Sequence, residues 1–126
     1  MNQVAVLVVE DMPQTRATAV QIFEEIGCEV FDAYTGQQAL KILKAHPEIK
    51  VLFTDVRLPG MNGDELAHEA RRLRPDLHVV LTSGYVGQDA VPNDLPFVPK
   101  PWHTHDLIAV VRYGADRNDG RSSYAA

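Results

Sequence analysis

Five short runs of apolar, largely β-branched residues constrain the fold of this chain more than any other feature. They cover residues 4–9, 29–33, 51–54, 78–82 and 97–98. Their hydrophobicity is continuous rather than alternating, which is typical of strands that are covered on both faces of a parallel sheet. Amphipathic segments separate the runs, and parallel strands need such crossover connections. The sequence therefore predicts an α/β fold with a doubly wound, five-stranded parallel sheet and helices on both faces.

The amphipathic segments are predicted to be helices over residues 13–26, 36–45, 63–73 and 104–113. Pro13 suits the first helical position and Gly27 suits the end of the first helix. Thr35 and Gln38 fit a capping box at the start of the second helix. Helical spacing predicts these core-facing residues: Ala19, Phe23 and Ile26, then Leu66, Ala70 and Leu73, then Leu107 and Val111.

The connection between the fourth and fifth runs differs from the others. Residues 85–96 contain Gly87 and Pro92 and few apolar side chains. We expect a loop there with at most one or two helical turns. A doubly wound fold of this kind would have its fourth helix in this connection, before the helix over residues 104–113, and we expect that fourth helix to be short or irregular. Residues 115–126 are polar and contain glycine, and we expect them to be frayed. The sequence thus predicts one domain over residues 1–114, followed by a flexible C-terminal tail over residues 115–126.

Composition and charge exclude several classes of function. The 126 residues carry a formal net charge of −5 with scattered basic residues, so we expect no direct DNA binding and no attraction to anionic membranes. No apolar stretch reaches the roughly 18 residues that a transmembrane helix needs. The single cysteine, Cys28, excludes an internal disulfide, and we interpret it as a small buried hydrophobe. Because no secretory signal is visible, we expect a cytoplasmic protein.

Charged residues stand at the ends of three of the apolar runs. Glu10 and Asp11 follow the first run, Asp55 follows the third and Lys100 follows the fifth. A buried carboxylate is costly unless something compensates its charge, and sheets of this kind bind ligands outside the carboxyl ends of their strands. We therefore expect three carboxylates and one ammonium group to meet at one edge of the sheet. That arrangement suits a divalent cation and a phosphoryl group.

Magnesium prefers oxygen ligands in octahedral geometry and usually takes one or two protein carboxylates. Asp11 and Asp55 would supply these, with Glu10 acting through water. A carboxylate can attack phosphorus to give an aspartyl phosphate, and phosphoryl transfer then requires mainly charge neutralisation and positioning. The Lys100 ammonium and the Ser83 hydroxyl, at the end of the fourth run, would serve the phosphoryl oxygens. Each acid alone would more often be a solvated strand end, so the prediction depends on their being together.

Taken in order along the chain, these residues resemble a two-component response-regulator receiver domain over about residues 3–113. The matching features are Glu10-Asp11, Asp55, the segment Leu58-Pro59-Gly60-Met61-Asn62-Gly63, Ser83-Gly84 and Lys100-Pro101. The resemblance implies the flavodoxin-like strand order 2-1-3-4-5 and a signalling switch rather than an enzyme. It also implies that the phosphoryl group comes from the phosphohistidine of a histidine kinase or a histidine phosphotransfer protein.

The resemblance further implies a role for each matched residue. Asp55 is the phosphoacceptor, and the backbone carbonyl of Arg57 joins Asp11 and Asp55 in binding Mg²⁺, with Glu10 helping through water. Lys100 and Ser83 contact the phosphoryl oxygens. Two further features are implied: Phe97 as the aromatic residue that turns inward when Ser83 moves toward the phosphate, and a cis Lys100–Pro101 peptide bond.

Two departures from the family pattern stand out. The spacing from Ser83 to Lys100 is several residues shorter than usual, and the deficit falls on the connection already expected to be irregular. A different feature, the pattern Ser83-Gly84-Tyr85 with Phe97-Val98-Pro99-Lys100-Pro101, resembles the receivers of hybrid histidine kinases. Trp102 stands where phenylalanine is commoner, and we interpret it as a packing variant. In the family, the surface that usually contacts downstream partners is built from the helix in this connection, the fifth strand and the last helix. Because the connection is short, that surface is the least predictable part of the fold.

Two alternative functions remain open from the sequence. One is a Mg²⁺-dependent phosphohydrolase with an aspartyl nucleophile, although such enzymes usually place a second carboxylate two residues beyond the nucleophile, where this chain has Arg57. The other is a phosphate-independent interaction module on the same fold. As a receiver, we expect the chain to be a stand-alone regulator, a phosphate shuttle or sink, or part of a hybrid kinase. The sequence carries no signal for an oligomeric state.

Overall fold

The apolar runs form a twisted parallel sheet in the computed structural model, which describes residues 3–84 and 95–115. Within these residues the strands are β1 (Ala5–Val9), β2 (Glu29–Ala33), β3 (Ile49–Asp55), β4 (His78–Ser83) and β5 (Phe97–Pro99). They lie in the order β2-β1-β3-β4-β5, and every neighbouring pair is parallel. The predicted α/β class and the strand order 2-1-3-4-5 are confirmed.

The helices are α1 (Pro13–Glu25), α2 (Gly36–Ala45), α3 (Gly63–Leu73) and α4 (Thr104–Ala115). Their bounds follow the prediction closely, except that α4 extends two residues further than expected. Among the described residues, no helix is both long enough and apolar enough to cross a bilayer. The predicted irregular fourth connection falls largely on residues 85–94, and the predicted tail on residues 116–126, both of which lie outside the described residues.

Each face of the sheet has its own hydrophobic core. In β1, Leu7 packs into the core beneath α2 and α3, whereas Val6 and Val8 pack into the opposite core beneath α1 and α4. Full burial of side chains of this size stabilises the fold by about 1.5–3 kcal/mol each. Burial on both faces explains why the runs are continuously apolar rather than alternating.

Most predicted core positions of the helices are buried, and one is not. Ala19, Phe23, Leu66, Ala70 and Leu107 are fully buried, and Ile26 and Val111 are half-buried. The prediction for Leu73 was wrong, because this side chain lies at the last residue of α3, beyond the core, and is 43% exposed. The helix instead buries Ala67.

The start of α3 presses directly against the end of β3. The Gly63 N–H donates to the Val56 carbonyl at 2.8 Å, and a Cβ added at Gly63 would stand only 2.2 Å from the carbonyl oxygen of Asp55. A capping box between Asn62 and Glu65 fixes the first turn of the helix. Glycine at position 63 therefore allows α3 to begin immediately beneath Asp55.

Candidate functional site

The carboxyl ends of β1 and β3 bring the three predicted acids together. Val9 is paired with Thr54, so the residues that follow, Glu10 and Asp55, lie side by side. One carboxylate oxygen from each of Glu10, Asp11 and Asp55 lies within 4.8 Å of the others. Glu10 is 2% exposed and Asp55 is 7% exposed, whereas Asp11 faces solvent. The juxtaposition that the sequence predicts is present.

The Lys100 side chain bridges two of these acids. Its ammonium group donates to Glu10 Oε1 at 2.7 Å and to Asp55 Oδ2 at 3.0 Å. Its backbone N–H donates to the Ser83 carbonyl at 3.0 Å, which holds it at the end of β4. The Lys100–Pro101 peptide bond is cis, as the resemblance implies. One cation thus neutralises part of the charge of two buried carboxylates.

The electrostatics of Glu10 and Lys100 are coupled. Burial and the neighbouring Asp55 carboxylate raise the pKa of Glu10 above its ordinary value, although the hydrogen bonds from Lys100 and from the Met12 N–H act in the opposite direction. Burial lowers the pKa of Lys100, but the hydrogen bonds to Glu10 and Asp55 and the negative charges of these two acids together outweigh it and leave that pKa above its ordinary value. The ammonium therefore stays charged at neutral pH.

Both carboxylate oxygens of Asp55 have a donor. Oδ2 accepts from Lys100, and Oδ1 accepts from the backbone N–H of Arg57 at 3.2 Å. A cleft of about 640 Å³ opens beside this position, and its lining includes Asp11 and Asn62. The Asp55 carboxylate is consequently held in one orientation at the side of an open cleft.

The other predicted site residues lie at the same edge of the sheet or near it. Ser83 is 4% exposed at the last position of β4, next to Thr82, which is paired with Asp55. A Cβ at Gly84 would lie 3.9 Å from Lys100 Cδ, an ordinary van der Waals contact, so packing against Lys100 does not by itself require glycine there. Phe97 is the half-buried first residue of β5. The roles proposed for Ser83 and Phe97 remain predictions.

Arg16 is a site residue that the sequence reasoning missed. From the first turns of α1, its guanidinium donates to the Glu10 carbonyl at 3.0 Å and to Asp32 Oδ2 at 3.1 Å. It also lies 5.5 Å from the centroid of the Tyr34 ring. These contacts tie α1 to the ends of β1 and β2. The sequence did contain a signal for this role. A basic residue stands shortly after the acidic pair Glu10-Asp11, and Asp32 lies near the end of the next strand.

Trp102 makes contacts beyond the packing role that the sequence predicts. Its ring packs edge-to-face against Phe53 with centroids 5.5 Å apart, which agrees with a packing role. In addition, the indole N–H donates to Thr82 Oγ1 at 2.7 Å, and the Lys100 ammonium lies 5.8 Å from the ring centroid. A phenylalanine would make no such hydrogen bond.

The donor set fits a magnesium ion. Carboxylate oxygens are the ligands that Mg²⁺ prefers, and the ion usually takes only one or two of them directly, so Asp11 and Asp55 can bind it while Glu10 acts through water. Their three formal negative charges exceed the single positive charge of Lys100 by two. A hard divalent cation would compensate this excess.

Comparison with known proteins gives a consistent picture. The family model described as the response regulator receiver domain matches residues 6–112. The response regulator receiver protein CpdR of Brucella abortus (strain 2308) is 31% identical over 108 residues, which are 82% of this chain and 89% of CpdR. The sensor kinase CckA of the same organism is 32% identical over 121 residues, which are 90% of this chain but only 13% of the kinase.

Solved structures show the same similarity. The receiver domain of the hybrid histidine kinase CckA superposes with a TM-score of 0.75 at 31% identity, covering 87% of this chain and 97% of that one. A response regulator receiver domain protein from Clostridium thermocellum superposes with a TM-score of 0.83 at 21% identity, over 92% of this chain and 97% of that one. At this low identity, the superposition supports only a shared fold.

Proposed function

Because this chain belongs to the response regulator receiver family of two-component signalling, we propose that it is a phosphorylation-operated switch in which Asp55 accepts a phosphoryl group from phosphohistidine. The observation that carries the proposal is the setting of the Asp55 carboxylate. It is almost fully buried, oriented by donors on both oxygens, and beside two further acids and one ammonium group. This setting supports a role for the Asp55 carboxylate as a nucleophile rather than as a solvated strand end.

The proposed transfer is a displacement at phosphorus. One Asp55 oxygen forms a bond to phosphorus while the P–N bond of phosphohistidine breaks, and the electron pair of the P–N bond stays on the imidazole nitrogen. Hydrolysis later breaks the acyl phosphate, because water attacks phosphorus and releases inorganic phosphate and the free carboxylate. Both steps require positioning and charge neutralisation more than acid–base chemistry.

Other residues at this edge of the sheet would bind the metal ion and the phosphoryl oxygens. Asp11, Asp55 and the Arg57 backbone carbonyl would hold Mg²⁺, with Glu10 acting through water. When bound, the ion would supply positive charge against the phosphoryl oxygens. The Lys100 ammonium, 3.0 Å from Asp55 Oδ2, would move onto a phosphoryl oxygen, and so would the Ser83 hydroxyl.

We also propose how the phosphorylated state is made and used. A cytoplasmic histidine kinase or a histidine phosphotransfer protein would be the donor. Movement of Ser83 toward the phosphoryl group would leave space into which Phe97 turns, which would change the surface beside β5. The receiver domain would occupy residues 1–114, followed by a tail over residues 115–126.

The test uses phosphoramidate, a small donor that contains a P–N bond, together with Mg²⁺. We expect intact-protein mass spectrometry to show the addition of one phosphoryl group to the native chain and none to Asp55→Asn. Asp76→Asn, which removes an exposed acid far from the site, is the matched control and is expected to be labelled like the native chain. Labelling of Asp55→Asn at the native rate would overturn the assignment. Repeated turnover of p-nitrophenyl phosphate would instead support a phosphohydrolase.

A further inference from the structure

We propose that Trp102 and Thr82 form a positioning pair for the Lys100 ammonium, so that the hydrogen bond between them sets how fast Asp55 is phosphorylated. The inference rests on the proposed function and deepens it. It assigns to Trp102 a role that neither its packing nor the family pattern requires. The argument follows the contacts from Thr82 through the indole ring to the ammonium group.

The Thr82 hydroxyl is a buried anchor with a fixed direction. Thr82 is 2% exposed, and its hydroxyl donates to the Val98 carbonyl at 2.6 Å. Because that proton is committed, the oxygen is left to accept, and the Trp102 N–H donates to it at 2.7 Å. Thr82 is paired with Asp55 across β3 and β4, and with Val98 across β4 and β5. The indole is therefore bonded to a residue whose place is set by the strand that carries Asp55.

The indole ring is held at two points, and its π-system lies next to the ammonium group. The N–H bond to Thr82 fixes one edge, and the edge-to-face contact with Phe53 fixes the tilt of the ring. The Lys100 ammonium lies 5.8 Å from the ring centroid, within the range of a cation–π attraction. The same ammonium also forms ion pairs with the Glu10 and Asp55 carboxylates. The indole thus adds a third contact to the ammonium beside those with the two acids.

This third contact matters because the two acids compete for the ammonium. The contact with Glu10, at 2.7 Å, is shorter than the contact with Asp55, at 3.0 Å. A ring that is free to tilt would let the ammonium move toward Glu10 and away from Asp55. Phenylalanine at position 102 would keep much of the contact with Phe53 but would lack the N–H donor. The hydrogen bond, rather than the bulk of the ring, is therefore the feature that positions Lys100.

The first experiment measures phosphorylation by phosphoramidate and Mg²⁺ in Trp102→Phe, Thr82→Val and the double variant. We expect each single variant to lower the maximal rate about fivefold, the equivalent of one neutral hydrogen bond. We expect the double variant to be no slower than either, since both remove the same bond. The apparent Mg²⁺ affinity should change by less than about twofold, because the acids are untouched. Thr82→Ser keeps the hydroxyl and should recover the rate that Thr82→Val loses.

A control separates positioning from lost stability. Ile49→Val removes one methylene group from the fully buried first residue of β3, at the opposite end of the strand from Asp55. We expect it to lower the free energy of unfolding without lowering the phosphorylation rate of the folded protein. If Trp102→Phe is phosphorylated at the native rate, or if the two single effects are additive, the positioning role is wrong. If the native chain itself accepts no phosphoryl group, the proposed function fails and this inference fails with it.

A second readout does not depend on phosphorylation. Trp102 is the single tryptophan of the chain, so its fluorescence reports on this contact alone. We expect Lys100→Met to shift the emission of Trp102, because the ammonium no longer lies beside the indole. Lys41→Met, at an exposed position of α2, should leave the spectrum unchanged. Identical spectra for Lys100→Met and the native chain would overturn the proposed contact.

Discussion

The close approach of α3 to the phosphoacceptor strand predicts that Gly63→Ala disrupts both stability and the site. A Cβ at this position would lie 2.2 Å from the Asp55 carbonyl oxygen and 2.8 Å from Val56 Cα. Both are backbone atoms that belong to the end of the buried β3 strand or follow it directly. They cannot rotate away as a side chain can, so the start of α3 must move instead.

The magnitude follows from the distances. Side-chain Cβ atoms essentially never approach closer than 3.0 Å, so the helix start must withdraw by about 0.8 Å. That shift stretches the 2.8 Å bond from the Gly63 N–H to the Val56 carbonyl beyond hydrogen-bonding distance. Overpacking costs about 1–3 kcal/mol and a lost hydrogen bond about 0.5–1.5 kcal/mol. We expect the free energy of unfolding to fall by about 2–4 kcal/mol.

The assay is urea unfolding followed by circular dichroism, with phosphorylation by phosphoramidate measured on the folded fraction. Gly36→Ala is the matched control, because Gly36 is also the first residue of its helix, α2. The atoms nearest to its added Cβ belong to the flexible side chain of Met61, at 2.9 Å or more, and we expect a change of less than about 1 kcal/mol. Equal effects of the two substitutions, or a loss below about 0.5 kcal/mol for Gly63→Ala, would refute this reasoning.

Three further predictions follow from other contacts. Arg16→Lys keeps the charge but makes fewer hydrogen bonds to the Glu10 carbonyl and Asp32. We therefore expect the apparent Mg²⁺ affinity, measured by titrating the phosphorylation rate, to fall about threefold to tenfold. The control Arg72→Lys, at an exposed ion pair, should leave that affinity unchanged. Burial raises the pKa of Cys28 to about 11, so at pH 8 the native thiol should react with a disulfide reagent about 100-fold more slowly than the thiol of the unfolded chain. Equal reaction rates would contradict this. The contribution of Cys28 to the free energy of unfolding should fall as pH rises above about 9, because the unfolded thiol ionises first. Leu66→Ala should cost about 2–5 kcal/mol in urea unfolding, whereas Leu73→Ala should cost less than about 1 kcal/mol, and a larger loss for Leu73→Ala would contradict its exposure.

The sequence could predict the parts of the site that depend on strand order alone. Short continuous apolar runs that alternate with amphipathic segments favour a covered parallel sheet, and the residues that follow the strands of such a sheet lie at one edge. The proximity of Glu10, Asp11, Asp55 and Lys100 follows from that rule. No knowledge of side-chain packing was needed to place them together.

The sequence could not predict contacts that depend on side-chain packing between elements. Helical spacing placed Leu73 on the core face of α3, but spacing does not reveal where a helix leaves the core. The bonds from Arg16 to the Glu10 carbonyl and from Trp102 to Thr82 depend on how α1 and the segment after β5 pack on the sheet. Such contacts become visible only when the elements are assembled.

The most direct test of the account is to locate the phosphoryl group chemically. After labelling with phosphoramidate and Mg²⁺, borohydride reduces an acyl phosphate to an alcohol but leaves free carboxylates intact, so the acceptor aspartate becomes homoserine. Peptide mass spectrometry is expected to find homoserine at position 55 and the unmodified carboxylates of Glu10 and Asp11. Homoserine at position 11, or a label on another type of side chain, would contradict the assignment of Asp55 as the phosphoacceptor.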